Sequence, residues 1–340
     1  MDIRNTAIGE FLITSGWANS QRDTLEADAS SRKYERLRSG SNQALLMICP
    51  PEGENIYEFI KVTNYLLEKK YSVPIIFSKD PKKGLLIIED FGDTTFMRAA
   101  GKTVEDSLLY SSALEVLIKM HSNQSRDWSR LNLPAYNTNL LLEELSIFCE
   151  WYLPNFLKNN ALKGAIADFQ KIWIRLISEY LVLEPTLVLR DFHADNLFWL
   201  PKRKDEQRCG LIDYQDAVIG SPTYDLMSLL EDARRDIPTD LYNKIKGDYI
   251  LAFPDLDITK FNKEFALLSA QRHCKVLGIF SRLCQRDNKN KYLEHMPRVW
   301  HLLEKSCQSA FLAPLETWLN EFIPFEKRYK LPTKLSLIHI

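Results

Sequence analysis

The sequence predicts an α+β fold in two lobes: a small antiparallel-sheet N-lobe over 1–92, a mainly helical C-lobe over 93–324, and a tail over 325–340. Three observations carry that expectation. At 340 residues the chain exceeds one small core. Short apolar runs divided by turn residues crowd the part before position 92, and from Thr103 they give way to long segments with apolar residues at helical spacing.

Taken in order, Ile8, Phe11, Leu12 and Trp17 predict a leading helix, and 25–31 reads as a turn. The stretches 32–37 and 43–49 read as strands joined at Ser39-Gly40-Ser41-Asn42, and Pro50-Pro51 stops the second. Asn55 opens a helix with Ile56, Phe59, Ile60, Thr63 and Leu67 on one stripe. A hairpin pattern pairs 73–77 with 85–89 around Pro81-Lys82-Lys83-Gly84 and runs into Asp90-Phe91-Gly92-Asp93. Thr103 with Asp106 resembles a capping box for a helix ending near His121. Two more helices are expected at 140–157 and 166–183, separated by Asn159-Asn160, and Tyr224-Asp225-Leu226 opens another. The stretch 261–319 is helical, with breaks at 286–291 and at Pro297.

Composition excludes some functions. Hydrophobic residues at 45% and charged residues at 26% are those of a soluble globular protein, and a net charge of −1 gives no support to nucleic acid or a membrane surface as partner. Six scattered cysteines without a C-x-x-C pair are expected to be free thiols in a reducing compartment. With no apolar leader and no run of membrane-spanning length, the expected location is the cytoplasm.

One stretch carries chemistry. The apolar run 187–189 delivers Arg190-Asp191-Phe192-His193-Ala194-Asp195-Asn196, and Gly210-Leu211-Ile212 delivers Asp213. In phosphoryl transfer the protein mainly positions a hydroxyl and holds divalent cations against dispersed negative charge. Asp191 suits acceptance of the hydroxyl proton, while the oxygens of Asn196 and Asp213 suit Mg²⁺, a hard ion. The polar segment 202–208 reads as a hairpin loop that lays Asn196 beside Asp213. Each carboxylate alone would read as part of an acidic loop; the ordered set makes the site. That order is similar to the catalytic-loop and metal-loop pair of the protein-kinase-like fold, and His193 within D-x-H-x-x-N resembles its aminoglycoside phosphotransferase and choline kinase branch.

On such a fold the other candidates take places. Backbone near Glu89 and Phe91 would meet an adenine edge at the hinge between lobes. The strand that usually bears a phosphate-binding lysine has none in 44–48, leaving Arg32 or Lys33 on the neighbouring strand, with plain surface charge as the alternative. Small residues in 27–31 sit where a phosphate-covering loop would, without a glycine. Glu143, Glu144 and Glu150 beside Trp151 and Tyr152 suit sugar hydroxyls and ring faces, against the alternative of a solvated helix face. Asp225 would tie down the catalytic loop, a structural role. The charged stretch 231–236, with Asp232 and Arg234, follows the loop that must face the acceptor.

A narrower resemblance spans about 8–324. Asp28-Ala29-Ser30 with Arg32 and Tyr34, Leu46-Met47 before Pro50-Pro51, Trp151-Tyr152-Leu153, Leu229 to Asp236, and Gln271-Arg272 with Lys275 to Phe280 together resemble the bacterial anomeric kinases of N-acetylmuramate and N-acetylglucosamine. That resemblance implies ATP as co-substrate with Mg²⁺, a sugar C1 hydroxyl as acceptor, and a role in cell-wall sugar recycling. It implies Asp191 as base, Asn196 and Asp213 as metal ligands, nucleotide contacts at Ser30, Arg32, Met47, Glu89 and Phe91, and substrate contacts at His193, Glu144, Asp232 and Arg234. The chain departs from the pattern where Ile48-Cys49 replaces Asp-Ala before Pro50-Pro51. Two other readings stay open: a kinase of an aminoglycoside, choline or homoserine, and a nucleotide-binding pseudokinase, the latter motivated by the missing lysine and glycine-rich loop.

Overall fold

The computed structural model describes residues 3–25, 32–50, 56–122 and 126–329. Its first elements are α1 (Ile3–Thr14), β1 (Gln21–Thr24), β2 (Lys33–Ser39), β3 (Asn42–Ile48), α2 (Ile56–Glu68), β4 (Ile76–Asp80), β5 (Leu85–Ile88), α3 (Phe96–Ala99) and α4 (Asp106–His121). Next come α5 (Thr138–Ile147), α6 (Asn159–Tyr180), β6 (Thr186–Val188), β7 (Leu197–Trp199), β8 (Cys209–Leu211), β9 (Val218–Gly220) and α7 (Thr223–Leu230). The last described elements are α8 (Thr239–Leu251), α9 (Ile258–Gln285), α10 (Met296–Cys307), α11 (Ala313–Phe322) and α12 (Phe325–Arg328).

Several boundaries differ from the sequence reading for local reasons. The edge strand β1 was missed because Gln-Arg-Asp-Thr has no apolar alternation to mark it. The first hairpin strand is β4 rather than 73–77, since Pro74 lacks an N–H for the ladder. The helix expected over 140–157 ends at Ile147, passes through one π-helical turn over Phe148–Tyr152, and tightens to a 3₁₀ turn where Pro154 cannot continue the ladder. Asn159 begins α6 instead of separating two helices. Pro297 lies in the first turn of α10, where its missing N–H costs nothing.

The chain divides into two compact units. The first comprises 1–119, 127–132 and 194–217. Its sheet is antiparallel throughout, in the order β1-β2-β3-β5-β4, with Met47 opposite Tyr34 on one side and Leu86 on the other. Side chains alternate across the pleat, so Ala44, Leu46, Ile48, Leu85 and Ile87 share one face, where Ile8, Phe11 and Leu12 of α1 cover them. Burying each large side chain contributes about 1.5–3 kcal/mol. Trp17 packs against the same cluster. The hairpin β7–β8 is tied to this unit by Leu211 N–H on the Ser72 carbonyl at 2.7 Å and Trp199 N–H on the Thr94 carbonyl at 2.9 Å.

The second unit comprises 120–126, 133–193 and 218–340. Its centre is α9, buried along most of its length beside α5, α7 and α10. A Cβ at Gly278 would stand 2.5 Å from the Phe148 backbone nitrogen, so only glycine lets α9 meet the π-helical turn. Phe148, Tyr152, Phe169 and Trp318 stack beside that contact. The six cysteines are buried thiols, and no described helix is long and apolar enough to cross a membrane.

Candidate active site

The candidate metal and nucleotide residues lie in the first unit. Strands β7 and β8 pair from Leu197–Leu211 to Trp199–Cys209, and Ile212 N–H donates to the Asn196 carbonyl at 3.1 Å. This closes the loop expected over 202–208 and sets Asn196 Nδ2 3.4 Å from Asp213 Oδ2. Asp213 takes φ +61°, a left-handed conformation that L-residues with a Cβ adopt at a cost. Its side chain is 41% exposed, so the carboxylate is open to a ligand. Among the described residues no group of three His, Cys, Asp or Glu side chains gathers in metal-binding fashion. One carboxylate and one amide on adjacent strand ends nonetheless fit a hard divalent cation, which keeps several waters and binds through few protein oxygens.

Arg32, buried at 1% exposure, donates from Nη1 to Gln215 Oε1 at 2.8 Å and lies 3.9 Å from Asp213 Oδ1. Gln215 Nε2 donates to the same carboxylate at 3.0 Å. Lys33, the other cation considered, is exposed. Gln215 was not a sequence candidate; the signal was its position two residues after Asp213. The guanidinium of Arg36 instead holds the segment after β5. It reaches Asp90 at 2.5 Å, Asp93 at 3.0 Å and the Gly92 carbonyl at 3.2 Å.

Within that segment, Glu89 N–H donates to the Ile75 carbonyl at 2.8 Å, and the Glu89 carboxylate pairs with Arg203. Phe91 lies 5.8 Å from Phe198 between ring centroids, under the Arg203 guanidinium. A Cβ at Gly210 would stand 2.9 Å from the Phe91 ring, so this strand needs glycine to admit the aromatic. Met47 is fully buried, on the sheet face opposite the α1 core. Ser30 lies outside the described residues.

The candidate base lies in the second unit, on the loop after β6. Arg190 takes φ +71°, and the loop is fixed there from three directions. Asp225 of α7, fully buried, accepts Leu189 N–H at 2.6 Å and Arg190 N–H at 2.9 Å. Burial raises its carboxyl to about 7, against the pull of those two backbone donors. Arg272 Nη1 donates to the Arg190 carbonyl at 3.0 Å and to the Tyr224 hydroxyl at 3.1 Å. The Arg190 side chain pairs with Glu144 of α5.

Glu144 is 5% exposed, and its carboxylate also accepts the Tyr136 hydroxyl at 2.5 Å, Lys275 Nζ at 2.7 Å and Gln271 Nε2 at 3.0 Å. Burial pushes the group up, but Lys275 and Arg190 outweigh it and hold the carboxyl at about 2. Tyr152 is likewise interior, its hydroxyl accepting the Trp300 indole N–H at 2.7 Å. The acidic-aromatic wall expected to line a sugar therefore turns two of its members inward: Glu144 is drawn to the donors of Tyr136, Gln271 and Lys275, and Tyr152, at the end of the π-helical turn, to Trp300.

Asp191 has a side chain 35% exposed, with Arg272 Nη2 3.7 Å from Oδ1. Burial raises its carboxyl, yet Arg272, Lys275, His193 and Arg190 together hold it below the ordinary aspartate value. His193 N–H donates to the Asp191 carbonyl at 3.1 Å, and burial lowers its imidazole pKa against the fields of Asp232 and Asp191. Asp232 is buried, with its Oδ1 accepting Arg234 N–H at 2.9 Å and its carbonyl accepting Arg298 Nε at 2.8 Å. Arg234 lies over the Tyr292 ring at 5.5 Å.

The model of a phosphotransferase enzyme family matches residues 23–261. A protein of Caulobacter vibrioides named N-acetylmuramate/N-acetylglucosamine kinase is 30% identical across 96% of this chain and 98% of its own length. A protein of the same name from Pseudomonas putida is 31% identical across 86% of each chain. Among solved structures, a spectinomycin phosphotransferase superposes with a TM-score of 0.64 at 14% identity, over 89% of this chain and 98% of that one. The choline kinase of Streptococcus pneumoniae gives 0.62 at 11% identity, over 89% and 99%. The fold is thus the two-lobed protein-kinase-like one that these enzymes share. The chain belongs to the phosphotransferase enzyme family and, within it, to the group of N-acetylmuramate/N-acetylglucosamine kinases.

Proposed function

We propose that this protein transfers the γ-phosphoryl group of ATP to the C1 hydroxyl of N-acetylmuramate and N-acetylglucosamine, in the cytoplasm, as a step in the recycling of cell-wall sugars. The observation that carries the reading is the 3.4 Å pairing of Asn196 with Asp213 on one hairpin, in a chain whose named relatives are kinases of these two sugars. Asp191 accepts the hydroxyl proton as the sugar oxygen bonds to the γ-phosphorus and the bond to the ADP oxygen breaks. Asn196 and Asp213 would hold Mg²⁺, which supplies charge neutralisation at the phosphate oxygens when bound.

Arg32, held by Gln215 beside Asp213, takes the phosphate-binding role of the missing strand lysine. The hinge at Glu89 and Phe91, with Met47, borders the adenine. His193, kept neutral by burial, offers a hydrogen bond to the sugar, and Asp232 with Arg234 borders the acceptor. Glu144, saturated by protein donors, supports the loop and does not touch the sugar.

An ADP-release assay with N-acetylmuramate, N-acetylglucosamine, kanamycin, choline and homoserine tests this reading. Turnover is expected with the two amino sugars, falling by at least ~10²-fold in Asp191→Ala and Asp213→Ala while the unfolding midpoint holds. Activity retained in both variants, or turnover confined to kanamycin, choline or homoserine, overturns it.

A further inference from the structure

We infer that Arg272, on α9, is a positioning residue for the proposed base: its guanidinium fixes the Arg190–Asp191 turn and sets a fixed positive charge beside the Asp191 carboxylate. The inference rests on Asp191 being the base of the proposed reaction. Arg272 is 8% exposed and spans three partners: the Arg190 carbonyl at 3.0 Å, the Tyr224 hydroxyl at 3.1 Å and Asp191 Oδ1 at 3.7 Å. The carbonyl it holds belongs to the left-handed residue, φ +71°, immediately before the base. A left-handed arginine persists only where its surroundings over-determine it. Asp225 holds the N–H side of that residue and Arg272 the carbonyl side, so the peptide planes on both sides of Arg190, the second of which leads into Asp191, are each pinned.

The charged neighbours of Asp191 among the described residues bear on the electrostatic half of the role. From its own loop come Arg190 and His193, from α9 Arg272 and Lys275, and from α7 the carboxyl of Asp225. Lys275, a turn further along, is committed to Glu144 at 2.7 Å, and Arg190 pairs with the same carboxylate. Arg272 lies 3.7 Å from Asp191 Oδ1, and its field is the largest of those that keep the carboxyl ionised. This gives a physical use to the Gln271-Arg272 and Lys275 motif: one face of α9 serves the loop directly through Arg272 and indirectly through Gln271 and Lys275 on Glu144.

The test compares Arg272→Gln and Arg272→Lys with the wild type on N-acetylglucosamine. In Arg272→Gln the acid limb of kcat/KM, which reports the free enzyme's base, is expected to move up by about one pH unit. Misplacement of the base lowers kcat by roughly tenfold to a hundredfold, with the KM for ATP within about threefold of wild type. Arg272→Lys keeps the charge but not the forked grip, so it restores the limb while kcat stays depressed. An unmoved acid limb in Arg272→Gln overturns the inference. Should Arg272→Gln fail to fold, Arg272→Lys decides: full kcat there overturns it, and a depressed kcat with an unmoved limb supports it. A ¹³C carboxyl titration, with Asp191→Asn assigning the resonance, separates this inference from the functional reading. A rise in the Asp191 titration in Arg272→Gln upholds the electrostatic role even if no sugar is turned over, and no rise defeats it.

Discussion

Replacing Glu144 by Gln should destabilise the second unit by about 3 kcal/mol at neutral pH. The carboxylate is interior and answers two cations, Arg190 and Lys275, besides two neutral donors. At roughly 1.4 kcal/mol per pH unit, displacement of the carboxyl from 4.5 to about 2 corresponds to about 3 kcal/mol of folding free energy. Mutational experience gives the same scale, since removing one partner of a buried ion pair costs roughly 3–5 kcal/mol. The folded value is depressed, so this stability is complete above the unfolded value of 4.5 and is lost as pH falls through about 2. Urea unfolding of wild type and Glu144→Gln, followed by tryptophan fluorescence across that range, measures the gap. It should be widest near neutrality and should narrow on acidification. A neutral-pH gap under about 1 kcal/mol, or one that does not narrow, would refute the assignment of this carboxylate as an ionised structural anchor.

Three further outcomes follow from individual contacts. Asp225→Asn leaves one of the two loop N–H groups facing an amide NH₂, so it should cost about 1–3 kcal/mol and lower kcat, read by urea midpoint and turnover. Gly278→Ala forces a methyl against the Phe148 backbone, an overpacking expected to cost roughly 1–3 kcal/mol or more by thermal unfolding. Arg32→Ala should raise the KM for ATP by tenfold or more, about 1.4 kcal/mol or above, while Lys33→Ala, at an exposed position, should leave it within about twofold; equal effects would return the phosphate role to neither residue.

Much of the N-lobe was legible because its central strands are short apolar runs and its turns carry glycine or proline. Leu46 and Ile48 face α1 while Met47 faces away, as the pleat requires. The neighbourhood of Asn196 and Asp213 was legible for a different reason: a short hairpin brings the two side by side, so their spacing reflects their placement. Polar β1 and the ending of α5 were not legible, since one lacks apolar alternation and the other depends on a π-helical turn packed against Gly278.

What the sequence by itself determined is the two-lobed α+β class, the family and the order in which the candidate groups arrive along the chain. What only the tertiary structure decided is which charged residues serve one another. Glu144 looked like a sugar contact because acidic helix residues beside aromatics offer that pattern, but folding brings Arg190 and Lys275 onto it from distant parts of the chain. Arg36, which carried no role in the sequence reading, clamps the segment after β5 through Asp90 and Asp93. Arg32 and Lys33 were equivalent in the sequence until burial separated them. The reason is physical: hydrogen-bonding capacity is written in residue type, whereas desolvation and pairing depend on neighbours that meet only after the chain has packed.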